Sequence, residues 1–195
     1  NEFSADYLIC TLPLDAALKV DWAPALPEEK VQAMNELQYA RIGKFCVLFK
    51  RRFWGNEDFA VGTDDDGHFI FHTTQNQQGT FGALTSYVTG DKAYLLFKAP
   101  PAERTRRILH SLEPAFGDLR RYVARDAIGH YWPHDLHTSG AYAIYDTQQW
   151  FTLRPILAKP VKRIYFAGEH IAEWQGFMEG AINTGEDAAK AIAGR

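Results

Sequence analysis

Between residues 164 and 192 a short apolar run, Ile164-Tyr165-Phe166-Ala167, passes through Gly168 into a stretch where Ala181, Gly185, Ala189 and Ile192 recur at helical spacing. A buried strand ending in glycine, followed by a helix whose inner face carries small residues, is a unit that packs only when the helix lies close against a sheet. That places the chain in the α/β class and demands further strands. The run Ala5 to Leu12, closed by Pro13, reads as another buried strand. Lys44 to Lys50, Phe69 to Thr73 and Ala83 to Val88 read as three more, separated by the turn-forming Thr63-Asp64-Asp65-Asp66-Gly67 and Gln77-Gln78-Gly79. Short strands joined by such turns predict an antiparallel or mixed sheet.

Helices are expected in two further places. Pro27 opens a segment from Glu28 to Leu37 with Val31, Met34 and Leu37 on one face, and Gly43 ends that pattern. Pro101 starts a longer helix with Ile108, Leu109, Leu112 and Phe116 as its buried stripe and Gly117 at its end; Arg104, Arg106 and Arg107 are assigned to the solvated face. From Gly129 to Trp150 the chain is rich in aromatics, glycine and proline without clear periodicity, the texture of a site-forming loop.

Composition narrows the partners. With 195 residues, 46% of them hydrophobic and 14% aromatic, the chain can bury a sizeable core. A formal charge of −3 with Lys and Arg interspersed among Asp and Glu offers no basic face for nucleic acid. No apolar run approaches the roughly 20 residues of a membrane span. Cys10 and Cys46 lie in apolar strand-like runs and are expected as buried thiols rather than a disulfide. The opening Asn1-Glu2-Phe3-Ser4 has neither an initiator Met nor a signal-peptide pattern and reads as the start of a fragment; the compartment, cytoplasmic or secreted, is left open.

The stretch Tyr165-Phe166-Ala167-Gly168-Glu169-His170, followed by Trp174-Gln175-Gly176-Phe177-Met178-Glu179-Gly180-Ala181, carries the chemistry. Gly168 lets backbone approach a bulky cofactor, the Glu169 carboxylate can accept hydroxyl protons, and a helix starting near Phe177 aims its free N–H groups at any carbonyl that gains negative charge. The stretch resembles the C-terminal FAD signature of the flavin amine oxidases, the family of monoamine, polyamine and L-amino-acid oxidases. The resemblance runs in order from about Ala5 to Ile192, through Asp6 to Pro13, Ala25 to Lys30, Arg41 to Phe45 with Arg52-Phe53-Trp54, and Trp132-Pro133 with Ser139-Gly140-Ala141-Tyr142.

This resemblance implies an α+β substrate domain with a mixed sheet over 18–144, set between pieces of a Rossmann-like FAD-binding domain at 1–17 and 145–195. Lys44 implies a catalytic role, holding a water against flavin N5. Tyr142 and Phe177 match the aromatic cage around the substrate amine, the Gly176 carbonyl accepts from that amine, and Tyr87 matches the tyrosine that holds the carboxylate in L-amino-acid oxidases. Trp132, Gly168, Glu169, Phe177 and Met178 match cofactor-binding positions, Met178 through its backbone at the pyrimidine carbonyl. Ala141 stands where monoamine oxidases have the cysteine bonded to the flavin, so FAD is expected to bind noncovalently.

The implied reaction is hydride transfer from an L-amino acid to the flavin, with the imine hydrolysed to a keto acid and ammonia and oxygen reduced to hydrogen peroxide. Amine or polyamine oxidation, flavin monooxygenation and a non-catalytic subunit are the alternatives. The glycines at 62–67 and 79–82 do not supply the G-x-G-x-x-G of a dinucleotide site. The expected partner is therefore an N-terminal chain of the same oxidase carrying that motif, with a homo-oligomer of the pair a further option. His130, His134 and His137 have a metal-like spacing, but Pro133 and the flanking glycines disfavour one helical face, and His68 and His72 lack a third ligand, so no metal is expected.

Overall fold

The computed structural model describes residues 2–55 and 58–194. In chain order the main elements are β1 (Leu8–Cys10), α1 (Leu14–Ala17), α2 (Glu28–Glu36), β2 (Gln38–Tyr39), β3 (Ile42–Phe49), β4 (Ala60–Gly62), β5 (Phe69–His72) and β6 (Gly82–Thr89). There follow α3 (Gly90–Lys98), α4 (Pro101–Phe116), β7 (Val123–Tyr131), β8 (Ala143–Ile144), α5 (Gln149–Ala158), β9 (Ile164–Phe166) and α6 (Met178–Ala193). They form two compact units, one from the described residues of Asn1–Ala40 and His134–Arg195, the other from those of Arg41–Pro133.

In the first unit β1 and β9 pair in parallel, Leu8 with Ile164 through Cys10 with Phe166. One face of this pair packs against α6 through Tyr165, Ala167 and Ala188. The other is covered by Leu14, Ala33, Met34, Leu37, Leu153 and Leu157 from α1, α2, α5 and their flanks. The close approach expected of α6 is present, but its inner stripe is Gly180, Ala181, Thr184, Ala188 and Ile192, and Ala189 faces solvent. Helix α2 also turns an unexpected residue inward. Lys30 is 2% exposed, donates from Nζ to the carbonyls of Ile156 and Leu157 at 2.7 and 2.8 Å, and stands 4.0 Å over the Phe166 ring. It thereby satisfies carbonyls at the C-terminal end of α5, which no later N–H of the helix can reach.

The second unit is a five-stranded sheet ordered β4-β5-β6-β3-β7, antiparallel throughout, with α3 and α4 on one face. Alternation puts Phe45, Val47 and Phe49 of β3, Ile70 of β5, and Leu84 and Val88 of β6 in the core beneath Ala93, Leu96, Ile108 and Leu112. Gly43, expected to terminate the preceding helix, lies inside β3, and the helix ends at Glu36.

Three other expectations are corrected here. Arg104 is not on a solvated face: it is 9% exposed and donates to the carbonyls of Leu96, Phe97, Ala99 and Ala127 at 2.8 to 3.1 Å, with its guanidinium 5.0 Å from the Phe45 ring. The planar fork of arginine serves several acceptors at once, so the burial is compensated. The aperiodic segment 129–150 is not wholly loop, since β7 runs to Tyr131 and α5 begins at Gln149. Cys10 is buried, whereas Cys46 is only half-buried on the sheet face away from the helices; both are free thiols.

Candidate active site

The site residues expected from sequence fall into two groups, one in each unit. In the second unit the uncovered face of the sheet carries Lys44, whose cross-strand partners are Tyr87 on β6 and His130 on β7. Directly opposed residues share a face of a sheet. The Lys44 ammonium lies 5.7 Å from the centroid of the Tyr87 ring. Phe69 pairs with Tyr87 on its far side, so a single row crosses the sheet as Phe69, Tyr87, Lys44 and His130. Trp132, half-buried just beyond β7, packs its ring edge-on to His130 at 4.5 Å.

In the first unit Gly168 lies two residues beyond the end of β9 with φ 147°, and a β-carbon there would lie 2.5 Å from Cε1 of the buried His170. Thr184 of α6 accepts the Gly168 N–H at 2.9 Å, which holds this turn against the helix. The carboxylate of Glu169 accepts two backbone N–H groups, that of Ala143 at 3.0 Å on Oε1 and that of Gly176 at 2.8 Å on Oε2. Each of those N–H groups belongs to a neighbour of an aromatic expected at the substrate amine, Tyr142 before the first and Phe177 after the second. Sequence reading missed this staple, because a carboxylate at a strand end does not disclose which donors it meets.

The Tyr142 segment is fixed from its other side as well. Ala40 N–H donates to the Tyr142 carbonyl at 2.8 Å and Ala141 N–H donates to the Ala40 carbonyl at 3.1 Å, and the Ala141–Tyr142 peptide bond is cis. Phe177 sits at the N-terminus of α6 with extended backbone, and no side chain caps the helix. Its ring meets Trp174 edge-on at 6.2 Å. Tyr142, Trp174, Phe177 and Met178 are 42, 65, 62 and 85% exposed. Large apolar side chains grouped this openly mark a surface that a ligand or another segment covers.

Burial holds the His170 imidazole neutral, its pKa lowered to about 4, with the Lys30 charge as a second cause. The same desolvation lowers Lys30 to about 8. Among the described residues no group of three or more His, Cys, Asp or Glu is arranged to hold a metal ion, and no helix is long and apolar enough to cross a membrane.

A family profile described as flavin containing amine oxidoreductase matches residues 1–193. The chain belongs to that family. It is 27% identical to human amine oxidase [flavin-containing] B over 97% of its length and 28% identical to the L-amino acid oxidase bordonein-L of Crotalus durissus terrificus over 98%. It spans 38 to 39% of those curated relatives. Putrescine oxidase bound to putrescine superposes with a TM-score of 0.86 at 23% identity, over 98% of this chain and 43% of that one. Cyclohexylamine oxidase from Brevibacterium oxydans IH-35A gives 0.84 at 24% identity, over 97 and 43%. The cofactor of this family is a flavin, in agreement with the FAD expected from the sequence.

The residues present suit that cofactor. Each oxygen of Glu169 retains a second acceptor site, and the uncapped first turn of α6 presents N–H groups at Met178.

Proposed function

We propose that this chain forms the substrate wall and one edge of the flavin site in an oxidase that deaminates an L-amino acid. The balanced reaction converts amino acid, water and oxygen into keto acid, ammonia and hydrogen peroxide. The observation that carries the reading is the cross-strand placement of Lys44 beside Tyr87 on one open sheet face, with the ammonium 5.7 Å from the phenol ring. A lysine that orders a water and a tyrosine that donates to a carboxylate thus occupy adjacent places.

Trp132, Gly168, Glu169 and the Met178 backbone would hold the cofactor. When bound, the flavin accepts the two electrons of the substrate's α-carbon–hydrogen bond and passes them to oxygen. Tyr142 and Phe177 flank the amine and exclude water, and the Gly176 carbonyl accepts an amine N–H, which keeps the nitrogen lone pair aimed away from the protein. Tyr87 donates its hydroxyl proton to the carboxylate, and Lys44 donates to the water. The Glu169 staple keeps both cage segments in register without touching substrate.

A partner segment carrying the glycine-rich dinucleotide turn completes this reading. The parallel pair β1-β9 supports it, because parallel sheets ordinarily contain more strands than two and take further strands at their edges. Amine or polyamine oxidation is the competing reading, favoured by the fold likeness to putrescine oxidase.

The test is a peroxide assay on the flavin-loaded protein containing this chain, with amino acids and their matching decarboxylated amines. Tyr87→Phe is expected to raise the Michaelis constant for amino acids by about one to two orders of magnitude, the worth of a hydrogen bond to a charged group, and to leave amines unaffected. Lys44→Met is expected to slow flavin reduction or reoxidation far more than it weakens substrate binding. Equal losses on both substrate types with Tyr87→Phe would leave the amine-oxidase reading in its place.

A further inference from the structure

We infer that the second unit carries a subsite for the far end of a substrate, formed by Asp64, Phe69 and the open space at Gly62, and that it selects substrates with a second positive charge. For the proposed deamination this means an L-amino acid with a cationic side chain. The inference rests on the reading of the open sheet face as the substrate wall. Strand pairing extends the row around Lys44 by one step, because Gly62 of β4 lies opposite Phe69 of β5. The full row therefore runs Gly62, Phe69, Tyr87, Lys44 and His130. Its Gly62 end is open. A β-carbon added to Gly62 would meet nothing within 4 Å, and a pocket of about 340 Å³ is lined there by Gly62, Thr63, Asp64, His68 and Phe69.

The turn after β4 carries three carboxylates in succession, and the structure uses them differently. Asp66 pairs with Arg107 of α4 at 3.4 Å, on the helix side of the sheet. Asp65 accepts the Thr63 hydroxyl at 3.4 Å. Asp64 is exposed, and among the described residues its carboxylate has no ion pair or hydrogen bond. Lys92 of α3 reaches this turn, but it donates to the backbone carbonyls of Asp64 and Asp65 rather than to their side chains. Asp64 is thus the acidic residue of the pocket lining, and its charge is not consumed within the fold. His68 forms the wall towards β6, with Nδ1 3.5 Å from the Thr89 hydroxyl oxygen.

A carboxylate and an aromatic ring lining one pocket attract an ammonium or guanidinium by two effects of the same sign, Coulomb attraction to the first and attraction to the ring quadrupole of the second. Phe69 is 45% exposed and so presents ring surface to a ligand. Tyr87, the proposed donor to the α-carboxylate, stands two strand spacings from Gly62, about 10 Å. That span suits an extended lysine held by its α-carboxylate at one end and its ε-ammonium at the other. A neutral side chain of the same length makes no such contact with Asp64, so the pocket discriminates by charge as well as by length.

Flavin-loaded protein containing this chain is assayed with L-lysine and with L-norleucine, which has the same side-chain carbons without the ammonium. Binding of 6-aminohexanoate and of hexanoate, the counterparts that lack the α-amine, is measured by calorimetry. Wild type is expected to favour L-lysine in kcat/KM and 6-aminohexanoate in Kd. Asp64→Asn, which keeps the size of the side chain, is expected to lower both preferences about tenfold, the effect of one water-screened charge pair at a protein surface. Gly62→Leu fills the pocket and is expected to lower the kcat/KM ratio of L-lysine to L-alanine by about the same factor. Asp64→Asn with both preferences intact would overturn the inference, as would a wild type that favours L-norleucine and hexanoate. The deamination reading fails separately: if no amino acid reduces the flavin, or if 1,4-diaminobutane is turned over in preference to L-lysine, the calorimetric comparison of wild type with Asp64→Asn still decides whether Asp64 receives the distal charge.

Discussion

Gly176 lies flat against the phenol ring of Tyr142: a β-carbon at this position would stand 2.8 Å from Cγ and 3.0 Å from Cδ2 of that ring. Its φ of 77° is also one that residues with a β-carbon adopt only under strain. Gly176→Ala therefore forces Tyr142 away or distorts the turn before Phe177. The expected outcome is a kcat/KM reduced by about tenfold or more, since roughly 1–3 kcal/mol of strain falls on Tyr142, proposed above to flank the substrate amine. The comparison that checks it is with Gly185→Ala, where an added β-carbon meets nothing within 4 Å and activity should be retained.

Glu169 ties together the segments that carry Tyr142 and Phe177. Glu169→Gln keeps one acceptor oxygen but points an amide N–H at a backbone N–H that had been accepted, and Glu169→Ala removes both bonds. Bonds to a charged acceptor contribute about 1.5–3 kcal/mol each when buried, and partial exposure reduces that. Urea unfolding should show Glu169→Ala less stable by about 2 kcal/mol and Glu169→Gln intermediate. Flavin release should become easier in the same order. If both variants matched wild type in stability and flavin retention, the staple would have no role in holding Tyr142 and Phe177.

What could be read from the sequence follows the strength of local signals. The strand at Lys44, the helix between Pro101 and Gly117 and the helix starting beside Phe177 have clear periodicity with recognisable ends, and the structure places them accordingly. Strand β7 was hidden because its register shifts opposite Cys46 and Leu48, which breaks the two-residue alternation, and because Ile128 is apolar yet exposed. Helix α5 was hidden by Pro155 in its interior, and α3 by the run Tyr94-Leu95-Leu96-Phe97, which is apolar without a stripe. Lys30 and Arg104 look like surface residues by type, and only the tertiary fold supplies the carbonyls that permit their burial. Motif order supplied the expected site residues, whereas the Glu169 staple and the placement of His130 beside Lys44 depend on pairing between distant segments.

Lys30 and His170 give the first unit a pH dependence with two limbs. Burial lowers the Lys30 ammonium to about 8, against 10.5 for the free side chain. Between those values the unfolded chain binds the extra proton, so this residue's contribution to stability rises with pH across that window, by up to about 3 kcal/mol. His170 titrates at about 4 in the fold and at 6.5 outside it. The unfolded chain again holds more protons in between, so stability is lost as pH falls from 6.5 towards 4. Urea midpoints measured from pH 4 to 10.5 should show both limbs in wild type, with the alkaline rise absent in Lys30→Met and the acid loss reduced in His170→Gln. Flat profiles at both ends would mean that the two groups are not desolvated as the structure has them.

Noncovalent flavin attachment is the expectation that rests on Ala141. Covalent attachment to the ring needs a nucleophilic side chain on the segment expected to line it, and the methyl of Ala141 provides none. This residue is held by its own N–H to the Ala40 carbonyl and is followed by Tyr142, so the segment has no freedom to bring another nucleophile to the same place without moving the cage. Cys10 offers no substitute, being buried in β1. Acid precipitation of the flavin-loaded protein should therefore leave a colourless pellet and release intact FAD into the supernatant, identified by its mass. Ala141→Cys restores a thiol at this position and is the informative counterpart, because a flavin that stays with the pellet only in that variant shows that residue 141 lies against the ring. Flavin retained on the wild-type chain would overturn the noncovalent assignment and require another attachment residue.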